Sequence, residues 1–208
     1  MKDGLLQIFT TPITITKYEG SLTKELKYIN TLEWFDQRDN DSIKSKDSYL
    51  LKHKEFKDIK DFINKCINKF TKNIYQSDQK LVVTQCWLNK NPKGSSRHEH
   101  CHPNSIISGV FYFKQNSTLP PIKFCKTLQH GIRLNSKKYN NLNSDTFFLS
   151  CTDGELILFP SNLIHSVPLN TGNEERISMS FNTFSIDTLG LEKDLTELNL
   201  QKLVNENN

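Results

Sequence analysis

Three runs, IISGVFYFK (Ile106–Lys114), ELILF (Glu155–Phe159) and RISMSFNTF (Arg176–Phe184), decide the class of fold. Each is short, rich in β-branched and aromatic residues and bounded by turn formers, which is how strands read in a sequence. The same texture extends outward to LVVTQCWL (Leu81–Leu88), IKFCKT (Ile122–Thr127), FFLSC (Phe147–Cys151) and SVPL (Ser166–Leu169). Between them lie NKNPKG, QNSTLPP, TDGE and NTGNEE, all rich in residues that favour turns. Many short strands behind a helical front predict an α+β domain built on a β-sandwich or jelly-roll barrel.

The front of the chain supplies the helices. Ile13–Thr16 is β-branched, and Ser21–Trp34 carries Leu22, Leu26, Ile29 and Leu32 at helical spacing. Phe56–Tyr75 is the strongest amphipathic pattern: Phe56, Ile59, Phe62, Ile63, Cys66, Ile67 and Phe70 form one stripe, with lysines opposite. A helix-like tail is expected over Leu189–Val204. The organisation expected is one domain over 1–208, with 1–80 as support, 81–184 as barrel core and 185–208 as tail.

At 208 residues, 36% hydrophobic and 24% charged, the composition is that of one soluble globular domain. No apolar run approaches the ~18 residues of a membrane span. The start, MKDGLLQIFTTPITI, lacks a basic n-region and a small-residue cleavage site, which predicts a cytoplasmic protein. Five cysteines, odd in number and without a C-x-x-C pair, fit a reducing compartment. The net charge of +4 is spread along the chain, so nucleic acid is not implied as a partner.

Two segments concentrate chemistry. In Arg97-His98-Glu99-His100-Cys101-His102 three histidines alternate, and in extended backbone residues two apart share a face. Two imidazoles on one face can occupy adjacent corners of a metal's coordination sphere. On the residues alone the pair is His98/His100 or His100/His102. The second segment places His165 after the strand that stops at Pro160, and then Arg176 and Ser178 two apart on a further strand. An inward arginine there requires a carboxylate or phosphate partner.

Together, H-x-H-P-N-S followed by S-G-V-F-Y-F, G-x-L-x-L-F-P, a distal His and R-I-S-x-S-F-N resemble the non-haem Fe(II)/2-oxoglutarate-dependent oxygenases. More narrowly they resemble a branch with an H-x-H-P-x-S…S-G-V-Y-Y signature, over about residues 86–184. The resemblance implies a double-stranded β-helix binding Fe(II), 2-oxoglutarate and O2 and hydroxylating a small-molecule or polymeric substrate, with succinate and CO2 released. It makes His100, His102 and His165 the metal ligands, with His98 as the alternative to His102. It makes Arg176 and Ser178 the 2-oxoglutarate anchor, and it names no catalytic residue beyond the ligands. Most of the superfamily has H-x-D or H-x-E, so the second histidine is a departure. The rival readings are a three-His cupin dioxygenase without 2-oxoglutarate and a non-catalytic jelly-roll module. The polar stretch between Lys126 and Asp145, with Lys126, His130, Arg133, Lys137 and Lys138, reads as a lid, a binding loop or disorder, and is expected to be mobile without substrate and to contribute to substrate choice rather than iron binding.

Overall fold

The structure, a computed structural model, describes residue 4 and residues 7–36, 41–126 and 134–206. In chain order the elements are β1 (Thr14–Lys17), α1 (Thr23–Ile29), β2 (Ile43–Lys44), α2 (Lys57–Ile74), β3 (Leu81–Asn91), β4 (Arg97–His100) and β5 (Ile107–Lys114). They continue with β6 (Ile122–Cys125), β7 (Thr146–Leu149), β8 (Glu155–Pro160), β9 (Ile164–Val167), β10 (Arg176–Ser185) and α3 (Leu200–Glu206). A six-stranded sheet, β1-β8-β5-β10-β3-β2, faces a four-stranded sheet, β4-β9-β6-β7. The paired strands are antiparallel, and the architecture is the double-stranded β-helix with a few helices.

Period-two alternation sorts the large sheet into two faces. Phe111, Phe113, Leu156, Leu158, Ile177, Met179 and Phe181 pack outward under α2, which contributes Ile59, Ile63, Ile67 and Phe70. Each such fully buried side chain is worth about 1.5–3 kcal/mol. The opposite face sends Val110, Tyr112, Ile157 and Phe159 between the sheets against Ile122 and Phe124. Gly109 lies opposite Phe181, and a Cβ there would stand 2.1 Å from the Phe181 ring. The glycine in S-G-V is therefore the space that ring occupies.

Several expected boundaries move. β3 runs through Asn91 rather than ending at Leu88, because Asn89 and Asn91 are paired on β10 despite their turn-like composition. β9 covers Ile164–Val167, not Ser166–Leu169; Pro168 has no amide to extend the ladder. The front is also less purely a support. β1 and β2 are the two edge strands of the large sheet, and the first helix spans only Thr23–Ile29.

The expected tail helix over Leu189–Val204 is corrected: Leu189 and Leu198 pair as a bridge around a 3-10 turn at Glu192–Asp194, and α-helix forms only from Leu200. Gly190 and Leu195 take positive φ there (68° and 56°), which interrupts a helix. The segment expected to be mobile is the β6–β7 connection, joined at its base where the Lys126 amide donates to Asp145 O at 2.8 Å. Thr127, His130 and Arg133 lie outside the described residues. Among those residues no helix is long and apolar enough to cross a membrane, and all five cysteines are free thiols.

Candidate active site

Antiparallel pairing of β4 and β9 sets His100 opposite His165. After β4 the chain turns at Pro103-Asn104, where Asn104 takes a left-handed φ of 55°. The His102 amide donates to Ser161 O at 2.9 Å, which pins the third imidazole beside the other two. His100, His102 and His165 each present a ligand nitrogen, all within 4.8 Å of one another. Their ring centroids lie 4.4 Å (His100–His165), 5.0 Å (His102–His165) and 5.2 Å (His100–His102) apart.

The tautomers follow from the neighbours. His100 Nδ1 donates to His98 O (2.8 Å) and His165 Nδ1 donates to Leu163 O (2.9 Å). Each ring therefore turns an Nε2 lone pair inward. His102 Nε2 stands 3.2 Å from His165 Nε2. Burial, joined by the charges of the neighbouring imidazoles, pushes His102 down to about 3. Burial first brings His165 down to about 4, and it lowers His100 also. Three imidazoles that each bring a ring nitrogen to one place suit a divalent cation. The donor set fits a metal with open coordination positions.

The facing wall belongs to the large sheet. Cross-strand pairs put Arg176 beside Asn91, Ser178 beside Tyr112 and Asn89, Ser180 beside Val110 and Trp87, and Lys44 beside Asn89. All of these but the fully buried Tyr112, with the histidines, Arg97 and Ile122, line one cavity of about 300 Å3. Arg176 is buried at 2% exposure and its Nη1 donates to Asn91 Oδ1 (3.1 Å) and Ser178 Oγ (3.0 Å). Its guanidinium stacks over the Tyr112 ring at 4.9 Å. Arg176 Nε and Asn91 Nδ2 are buried donors without a hydrogen-bond acceptor.

Every contact of Arg176 is neutral, and among the described residues no carboxylate pairs with it. An unpaired buried cation costs several kcal/mol. The orphaned Nε–H belongs to the guanidinium edge that Nη1 leaves free, the edge that binds a carboxylate through two parallel bonds. The wall fits an anionic ligand brought from outside.

The structure thus gathers His100, His102, His165, Arg176 and Ser178 in one cavity, and it leaves His98 exposed and outside the cluster. Glu99 turns the other way and pairs with Lys123 at 2.7 Å. None of the described residues of 134–145 lines the cavity. Sequence reading missed Asn91, Tyr112, Trp87 and Lys44. The available signal was phase: Trp87, Asn89 and Asn91 alternate with buried Cys86 and Leu88, a polar-leaning face on a strand whose other face is core.

Residues 85–182 match the family model described as "Putative 2OG-Fe(II) oxygenase". No curated protein sequence matches. Among solved structures, the chain resembles HygX from Streptomyces hygroscopicus, crystallised with nickel, 2-oxoglutarate and hygromycin B. That likeness has TM-score 0.61 and 10% identity, over 84% of this chain and 83% of that one. It also resembles a prolyl-4-hydroxylase from Pseudomonas putida (TM-score 0.57, 13% identity, 83% of this chain and 93% of that one). A third is an oxidoreductase of the 2OG-Fe(II) oxygenase family from Burkholderia pseudomallei (TM-score 0.55, 14% identity, 78% and 76%). The structural likenesses show the fold, and the family model supports the 2-oxoglutarate/Fe(II) oxygenase superfamily.

Proposed function

We propose that the chain is an Fe(II)- and 2-oxoglutarate-dependent dioxygenase of the H-x-H-P-x-S branch. In this reading it hydroxylates a small-molecule or polymeric substrate, in the reducing cytoplasm that its free thiols suit. His100, His102 and His165 hold the metal; Arg176, Ser178 and Asn91 hold the distal carboxylate of 2-oxoglutarate. Residues 81–184 are the catalytic core, 1–80 its support together with the two edge strands of its large sheet, and 185–208 a tail. The observation that carries the reading is a buried arginine with only neutral partners in the same cavity as three converging imidazoles. A three-His cupin dioxygenase without 2-oxoglutarate gives that arginine nothing to neutralise it.

Bound iron with 2-oxoglutarate would supply the activation of O2, with succinate and CO2 as by-products. The protein's part is placement. The carbonyls of His98 and Leu163 fix which nitrogen of His100 and His165 faces inward, so the ligands are preorganised. Arg176 is itself held by Asn91 and Ser178, which aims its free edge and selects a dicarboxylate by length. Ile122, Val110 and Val167 line the cavity with apolar surface beside the polar groups.

The test is an anaerobic titration of 2-oxoglutarate into the Fe(II)-loaded protein. A visible metal-to-ketoacid charge-transfer band is expected with 2-oxoglutarate and not with succinate. No band at saturating Fe(II) and cosubstrate refutes the reading.

A further inference from the structure

We propose that Lys44 anchors an anionic group of the primary substrate, held over the half-buried ring of Trp87 beside His102. This rests on the oxygenase reading above and adds the class of substrate: a molecule with a flat or apolar body and an oxyanion.

The placement comes from register. Lys44 pairs with Asn89, which pairs with Ser178, so all three side chains lie on the face that looks into the cavity. Trp87 is two residues from Asn89 on that face, and its ring lies 5.9 Å from His102. Lys44 sits two strands away from Arg176 and two residues along. At ~4.8 Å per strand and ~3.3 Å per residue this puts the two Cα atoms roughly 12 Å apart. The cations therefore serve different ends of the cavity, the deep end at Arg176 and the edge strand at Lys44.

Charge accounting points the same way. Three cations line the cavity: Arg176, Arg97 and Lys44. Arg97 is paired with Asp41 at 2.5 Å, and Arg176 is the cosubstrate anchor. Lys44 makes no ion pair or hydrogen bond through its amine among the described residues. A surface lysine would extend into water, yet this one is half-buried and lines the same cavity as His100 and His102. Burial, with the Arg97 charge behind it, lowers its pKa, and Asp41 only partly offsets this. The remaining neighbours, Ser42, Asn89 and Ser180, are neutral hydrogen-bonding groups. An oxyanion at this place relieves the repulsion and leaves Trp87 to cover the body of the ligand.

The experiment uses benzoate, benzamide and inorganic phosphate as probes, titrated calorimetrically into protein saturated with Mn(II) and 2-oxoglutarate. Benzoate is expected to bind at least tenfold more tightly than benzamide. Lys44→Gln should abolish that preference and Lys44→Arg should retain it, with 2-oxoglutarate affinity unchanged within about twofold. Lys44-dependent binding of either anion supports the proposal, and the tighter of the two distinguishes a carboxylate from a phosphate substrate. Equal binding of benzoate and benzamide, or an unaltered Lys44→Gln variant, overturns it. Loss of 2-oxoglutarate affinity in Lys44→Gln also overturns it, by moving Lys44 to the cosubstrate. Failure of the wild type to bind Mn(II) or 2-oxoglutarate sinks the oxygenase reading instead, and benzoate titrated into the protein alone still reads Lys44.

Discussion

Replacing Arg176 separates a ligand anchor from a structural arginine. Its Nη1 is committed to Asn91 and Ser178, so the Nε–H edge is what remains for a ligand. A charge-assisted hydrogen bond is worth about 1.5–3 kcal/mol. Arg176→Lys keeps the charge and loses the fork, hence one of two parallel bonds. The expected loss in 2-oxoglutarate affinity is roughly ten- to a hundred-fold. Arg176→Ala loses both bonds and should do more, while Ser178→Ala, which loosens the aim of the guanidinium and removes one hydroxyl donor, should do less.

A second signature follows from the missing counter-charge. Without cosubstrate the wild type bears an uncompensated buried cation, so Arg176→Met should melt at the same temperature or higher. Added 2-oxoglutarate should raise the melting temperature of the wild type and not of the variant. The assay is calorimetric titration into the anaerobic Mn(II) protein with metal affinity measured separately, and pyruvate, which lacks the distal carboxylate, as control. Pyruvate binding as tightly as 2-oxoglutarate, or Arg176→Ala binding like the wild type, would make Arg176 a structural arginine.

Three further outcomes are expected. His100→Ala, His102→Ala and His165→Ala should each lose most Mn(II) affinity in equilibrium dialysis while His98→Ala keeps it; loss in His98→Ala with retention in His102→Ala would move the site upstream. In the metal-free protein His165 titrates near 4 when folded and near its ordinary 6.5 when unfolded. The unfolded chain then takes up protons first, so stability present above about pH 6.5 is lost as pH falls toward 4, by about 3 kcal/mol for this residue. Urea midpoints between pH 7 and pH 5 should show this slope, reduced in His165→Asn, and a flat wild-type profile contradicts it. Gly109→Ala drives a methyl into the buried Phe181 ring and should cost about 1–3 kcal/mol in urea unfolding; an unchanged midpoint would show that the ring can move aside.

Local pattern was sufficient for much of this protein. The stripe from Ile59 to Phe70 and the alternation in β5, β8 and β10 report burial directly, since one face of each element must meet apolar neighbours. The phase of Arg176 with Ser178 was likewise legible, because residues two apart on a strand share a side whatever the sheet does. The same rule could not separate His98 from His102. β4 ends at His100, its register with β9 shifts between Arg97 and His100, and His102 is delivered by a turn and a hydrogen bond to Ser161.

Asn91, Trp87 and Lys44 pair with Arg176, Ser180 and Asn89, which are 85, 93 and 45 residues away, so only strand register brings them to the cavity, as it brings Tyr112 under Arg176. The tail shows the limit from the other side. Its leucines have helical spacing, but Leu191 and Leu195 remain exposed and Gly190 and Leu195 adopt left-handed backbone. Which segments are strands, which helix covers them and which side chains share a face could be read from the chain alone, because those are short-range consequences of periodicity. Which imidazoles converge, and which buried cations lack a partner, was decided only by the tertiary structure, because both depend on contacts between strands distant in the chain.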